Sequence, residues 1–132
     1  MVGIILITHG DFSKEILKSA ELVIGPCEDV KCITLHRTDN VEDKNILFQE
    51  YMKEADKGDG VLVMVDLLGG SPCNIASMNI RNYNYKALTG LNFPMLLEAM
   101  NSRDEMTLEE LAESCCEAGK EGVIYINKML GN

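Results

Sequence analysis

Short apolar runs alternate with amphipathic stretches along this chain, and that alternation restricts it to a layered fold of strands and helices. Gly3 to Thr8 is almost wholly apolar, as a strand buried on both faces should be. Val61 to Val65 is a second such run and ends at Asp66. Val30 to Leu35 carries Lys31 and Thr34, which places it nearer a sheet edge. Tyr85 to Leu88 reads as a short fourth strand. Between the first two runs of the chain, Ile16, Leu17, Ala20, Val23 and Ile24 fall at helical spacing, with Ser13 as the expected cap and Gly25-Pro26 as the stop. Asp39 or Asn40 opens a helix whose stripe is Leu47, Phe48, Tyr51, Met52 and Ala55. Ser71 as cap and Pro72 at the first helical position predict a helix to about Arg81. Asn92 and Pro94 open another, through about Met100. Thr107 and Glu110 have the spacing of a capping box, and their helix ends near Gly119. Gly122 to Ile126 reads as a last strand.

The order is therefore βαβαβαβ, two helices, and β. It predicts one α/β domain over residues 1–132, a flavodoxin-like, doubly wound and mostly parallel sheet in the order 2-1-3-4. Twelve Lys and Arg against twenty-one Asp and Glu give a formal net charge of −9. An acidic surface argues against a nucleic-acid partner and against docking on an anionic membrane. No apolar stretch approaches the ~20 residues of a membrane span, and the first residues lack the basic flank and cleavage site of an export signal. Cys27, Cys32, Cys73, Cys115 and Cys116 make an odd count with no CxxC pair. That is not a disulfide framework or a zinc site. A cytoplasmic protein with reduced thiols is the expectation, with Cys115 and Cys116 as small half-buried hydrophobes.

In an open parallel sheet, ligands gather beyond the carboxyl ends of the strands at the switch point. Here that point lies between the first and third strands, which end at Thr8-His9-Gly10 and at Asp66 followed by Leu67-Leu68-Gly69-Gly70-Ser71. A carboxylate that accepts from one imidazole nitrogen fixes the tautomer and leaves the other nitrogen with a free lone pair. Gly69 and Gly70 lead into a helix N-terminus, where free N–H groups and the helix dipole favour an anion, and the Ser71 hydroxyl adds a donor. His9, Asp66, Gly69, Gly70 and Ser71 together suit covalent phosphoryl transfer onto His9, with Asp66 orienting it. His36 follows an edge strand in a charged segment and reads as a solvated loop residue.

These residues also carry a resemblance. Ile-Thr-His-Gly at 7–10, Val-Asp-Leu-Leu-Gly-Gly-Ser-Pro-Cys-Asn at 65–74 and Gly-Leu-Asn-Phe-Pro-Met-Leu-Leu-Glu at 90–98 resemble the IIA components of the mannose family of the bacterial sugar phosphotransferase system (PTS). The resemblance runs from Met1 to about Gly122. It implies that His9 accepts a phosphoryl group through Nε2 from the phosphocarrier protein HPr. It implies that Asp66 holds Nδ1 and that Ser71 lines the pocket. The group then passes to a IIB component, here expected on a separate chain, and the membrane IIC and IID proteins import and phosphorylate the sugar. The resemblance further implies a homodimer in which the C-terminal strand, here Gly122 to Ile126, joins the partner's sheet antiparallel. No metal or organic cofactor is implied. Asp11 departs from the pattern by placing a negative charge beside the active His, and Leu67 and Leu68 stand where some relatives carry Thr or Trp.

Other functions remain open at this point. A receiver-like module would be phosphorylated on Asp66, with Thr89 ending the fourth strand, but it needs an acidic pair after the first strand to hold Mg²⁺, where this chain has Thr8-His9-Gly10. A related branch donates phosphoryl groups to dihydroxyacetone kinases, and its second motif differs from Gly-Gly-Ser-Pro. A metal-dependent hydrolase would use His9 and Asp66 as ligands and needs a third.

Overall fold

A computed structural model describes residues 1–131. Four parallel strands form one sheet: β1 (Gly3–His9), β2 (Lys31–Leu35), β3 (Val61–Val65) and β4 (Tyr85–Leu88), in the order β2-β1-β3-β4. This is the expected order, with β2 at one edge. Six helices accompany them: α1 (Phe12–Ile24), α2 (Val41–Ala55), α3 (Gly70–Met78), α4 (Phe93–Ser102), α5 (Leu108–Glu121) and the short α6 (Ile126–Met129).

The apolar strands explain the two layers. Side chains alternate between faces of a strand, so a run without polar residues feeds two cores. Ile4 and Leu6 of β1 join Leu62 and Met64 of β3 on one face, under Ile16 and Ala20 of α1, Leu96 and Ala99 of α4 and Leu111 and Cys115 of α5. Ile5 and Ile7 join Val61, Val63 and Val65 on the other, under Phe48 and Met52 of α2 and Ile75 of α3. Phe48 packs edge-on against Tyr85, with ring centroids 5.5 Å apart. Burying a large side chain in such a layer stabilises the fold by ~1.5–3 kcal/mol. The register pairs Ile7 with Val65, so β1 runs two residues past the end of β3 and carries His9 to the level where the chain leaves β3 at Asp66.

Several element ends differ from the sequence reading. Ser13 does not cap α1; it lies buried in the first turn, where its N–H donates to Thr8 Oγ1 at 2.7 Å. The orphan donor is thus satisfied from the strand, five residues upstream. Ser71 does not cap α3 either. Gly69 occupies that place without a side-chain cap, and Ser71 and Pro72 fall inside the first turn. The helix stops at Met78, short of Arg81, because the Asn79 side chain turns back to donate to the Ile75 carbonyl at 3.0 Å and to Asn45 of α2 at 2.7 Å. Asn40 and Asn92 cap as expected, and Thr107 with Glu110 forms the reciprocal capping box.

Gly122 to Ile126 is not a strand in this chain. Gly122 ends α5, and Val123, Ile124 and Tyr125 follow without regular structure and largely exposed. A strand exists only when its N–H and C=O groups have a neighbouring strand, and the single chain offers this segment none among the described residues.

Candidate functional site

β1 delivers His9 and β3 delivers Asp66 to the same end of the sheet, 57 positions apart in sequence. Asp66 Oδ2 accepts twice from His9. The backbone N–H donates at 2.9 Å, and ring Nδ1 lies 3.0 Å away. A carboxylate only accepts, so the ring proton sits on Nδ1 and Nε2 keeps its lone pair. The backbone contact holds the strand end, and the Nδ1 contact aims the ring. The pair is asymmetric in exposure, since the His9 side chain is 53% accessible and that of Asp66 14%. The imidazole faces solvent and the acid lies behind it. Asp66 Oδ1 is buried and has no hydrogen-bond partner among the described residues. An unpaired buried acceptor costs about 1–3 kcal/mol. A negative charge placed behind the ring can stabilise an imidazole that becomes positive.

The glycine turn closes against the other side of the ring. Gly69 and Gly70 have φ of 88° and 81°, a region that side chains avoid. A Cβ on Gly70 would lie 3.3 Å from His9 Cε1 and Nε2, whereas one on Gly69 would meet nothing within 4 Å. Gly70 therefore gives the α3 N-terminus its close approach to His9 Nε2. An open cavity of about 460 Å³ lies in front of this arrangement, lined by His9, Gly10, Ser71, His36, Arg37 and Asp39 among others. His9, Asp66, Gly70 and Ser71 are thus brought together as the sequence suggested, and Gly69 shapes the turn from outside.

With this geometry in view, known proteins can be compared. The EIIA-man family model, described as "PTS system fructose IIA component", matches residues 3–116. The chain belongs to this family. Among curated relatives, this EIIA-man chain is 35% identical over 124 residues to the "PTS system mannose-specific EIIAB component" of Escherichia coli (strain K12). That alignment covers 92% of this chain and 38% of the relative, so the chain spans under half of that protein's length. It is 25% identical over 112 residues to the "PTS system fructose-specific EIIA component" of Bacillus subtilis (strain 168), covering 84% of this chain and 77% of that one. The crystal structure of phosphotransferase system component EIIA from Streptococcus agalactiae superposes with a TM-score of 0.86 at 31% identity, over 97% of this chain and 99% of that one. The mannose/sorbose specific IIA subunit from Enterococcus faecalis gives 0.84 at 31% identity, over 93% and 92%.

His36 is a solvated loop residue, as expected, and it has a partner. Its Nε2 lies 3.1 Å from Asp11 Oδ1, and His36 lines the cavity that holds His9. Asp11, two residues from His9, is therefore in hydrogen-bond contact with His36. The two are 25 positions apart on different loops, and only a register linking the ends of β1 and β2 could have signalled the contact; His9 pairs with Leu35 there. Among the described residues, no group of three His, Cys, Asp or Glu side chains is placed to hold a metal ion, and no helix is long and apolar enough to cross a membrane. Burial pushes the Cys32 thiol up to about 11 and the Cys115 thiol to about 12, which leaves neither nucleophilic at neutral pH.

Proposed function

We propose that this EIIA-man chain is a phosphohistidine carrier of a sugar phosphotransferase system, and that His9 is its acceptor. The carrying observation is the 3.0 Å contact from His9 Nδ1 to Asp66, which leaves an exposed Nε2 beside Gly70. In the forward step the Nε2 lone pair attacks the phosphorus held on a histidine of phospho-HPr. A new N–P bond forms, the old one breaks, and its electron pair returns to the donor ring. Asp66 keeps the Nδ1 proton and stabilises the positive ring. Backbone N–H groups at the start of α3 and the Ser71 hydroxyl face the developing charge on the phosphoryl oxygens. The same step in reverse, onto a histidine of a IIB component, discharges the carrier. Exposed Leu67 and Leu68 offer an apolar rim on which both partner proteins can dock in turn.

Asp66 is a poor acceptor itself, because Oδ2 is engaged by His9 and the side chain is largely covered. The reading extends to a homodimer. β4 leaves one sheet edge unpaired, and the exposed apolar Val123, Ile124, Tyr125 and Ile126 would supply the partner with an antiparallel strand there.

The test is incubation with HPr, its phosphorylating enzyme and labelled phosphoenolpyruvate. One acid-labile, alkali-stable phosphoryl group per chain is expected, and none in His9→Ala. Label retained in His9→Ala, or a hydroxylamine-labile adduct, contradicts the reading.

A further inference from the structure

A second charged cluster stands at the mouth of the cavity, and the phosphoryl step above does not use it. His36 Nε2 lies 3.1 Å from Asp11 Oδ1, and its Nδ1 lies 3.4 Å from Asp39 Oδ2. Lys44 Nζ lies 3.7 Å from the same Asp39 oxygen. These four side chains contact one another in one polar cluster, in which Lys44 and Asp39 form an ion pair. Arg37, between them in sequence, is exposed and makes no ion pair among the described residues. Its backbone is nevertheless held. The Asp39 N–H donates to the His36 carbonyl at 3.0 Å, and the Asp39 carboxylate accepts the His36 N–H at 2.8 Å. That closes a tight turn with Arg37 at its second position, and the His36–Asp11 contact ties the turn to the start of α1.

An unpaired guanidinium therefore sits on a fixed turn and lines the same cavity as His9. Its planar array of N–H donors fits phosphate oxygens two at a time. The surrounding protein is strongly acidic, with a net charge of −9, so an incoming phosphoryl group needs a local cation. The nearby Lys44 and His36 are already committed to carboxylates. We propose that Arg37 binds the oxygens of the phosphoryl group carried on His9, and that the Asp11, His36 and Asp39 cluster fixes the turn that presents it. The proposal rests on His9 being the acceptor. Arg37 exchanges no proton and forms no covalent bond in the step.

The test separates binding of the phosphoryl group from docking of a partner protein. The chain is phosphorylated through HPr and then freed of it. The ³¹P resonance and the half-life of the phosphohistidine are read on the isolated phosphoprotein, and the rate of its formation is read separately. An exposed arginine is screened by solvent, so Arg37→Gln should slow formation about tenfold, less than the ~10²–10³ of a buried oxyanion donor. It should also move the ³¹P signal and shorten the half-life, with Arg37→Lys intermediate. His36→Gln should act in the same direction and more weakly. An unchanged ³¹P signal and half-life in Arg37→Gln overturns the proposal, and a raised KM for HPr as the sole effect makes Arg37 a docking residue instead. Wild-type protein that takes no label on His9 removes the underlying reading and this proposal with it, and the wild-type control reports that outcome separately.

Discussion

Gly69 and Gly70 share a positive φ, yet a side chain at only one of them would meet the His9 ring. Both hold positive φ, so an alanine at either position costs about 1–2 kcal/mol of strain. Only at Gly70 does the added methyl press on His9, at 3.3 Å from Cε1 and Nε2. The expected outcome is a matched pair. Gly69→Ala and Gly70→Ala lose similar stability in urea melts, while Gly70→Ala alone loses phosphoryl transfer, by ~10²-fold or more. Equal activities in the two variants would detach the turn from the chemistry. His9 and Asp66 themselves follow from the sequence, since a switch point between β1 and β3 needs only the strand order. The pairing of Asp11 with His36 does not follow, because it depends on how two loops fold over the strand ends.

At the scale of elements, Arg103 at the end of α4 binds three parts of the chain together. It is buried, its Nε donates to the Val2 carbonyl at 2.9 Å, and it pairs with Asp29 Oδ1 at 3.0 Å. Burial alone would raise the Asp29 carboxyl, but hydrogen bonds from Cys27 and Arg103, with the Arg103 charge, hold it below its ordinary value. A carboxyl lowered in the folded state contributes stability above its unfolded pKa of ~3.9, and that contribution fades as pH falls through the folded value. Asp29 is about half exposed, so solvent limits the effect to about 1 kcal/mol. Wild type should exceed Asp29→Asn by that margin at pH 7, and the gap should close as urea melts are taken below pH ~3.9. A gap that does not change with pH refutes the assignment. Apolar periodicity located α1 and α2, and cap and proline signals located α3, α4 and α5. Helix ends were less legible where a distant group did the capping, as Thr8 does for Ser13 and the Asn79 amide for the end of α3.

At the scale of the whole molecule, the misplaced segment is Gly122 to Ile126. Its apolar residues have strand character in sequence, but a strand there requires an edge outside this chain. Exposed Val123, Ile124, Tyr125, Ile126, Met129 and Leu130 form a surface that a lone chain leaves in water. Sedimentation should give a dimer for the wild type and a monomer for Ile124→Asp, with His9 still phosphorylated in the monomer. A monomeric wild type would refute the proposed strand exchange while leaving the site untouched. The proposed transfer requires Nε2 of His9 to be the free ring nitrogen. Long-range ¹H–¹⁵N NMR of the phosphorylated protein reads this directly. It should show phosphorus on Nε2 of His9 and a proton on Nδ1; phosphorus on Nδ1, or a His9 ring left unmodified in protein that carries label, would contradict it.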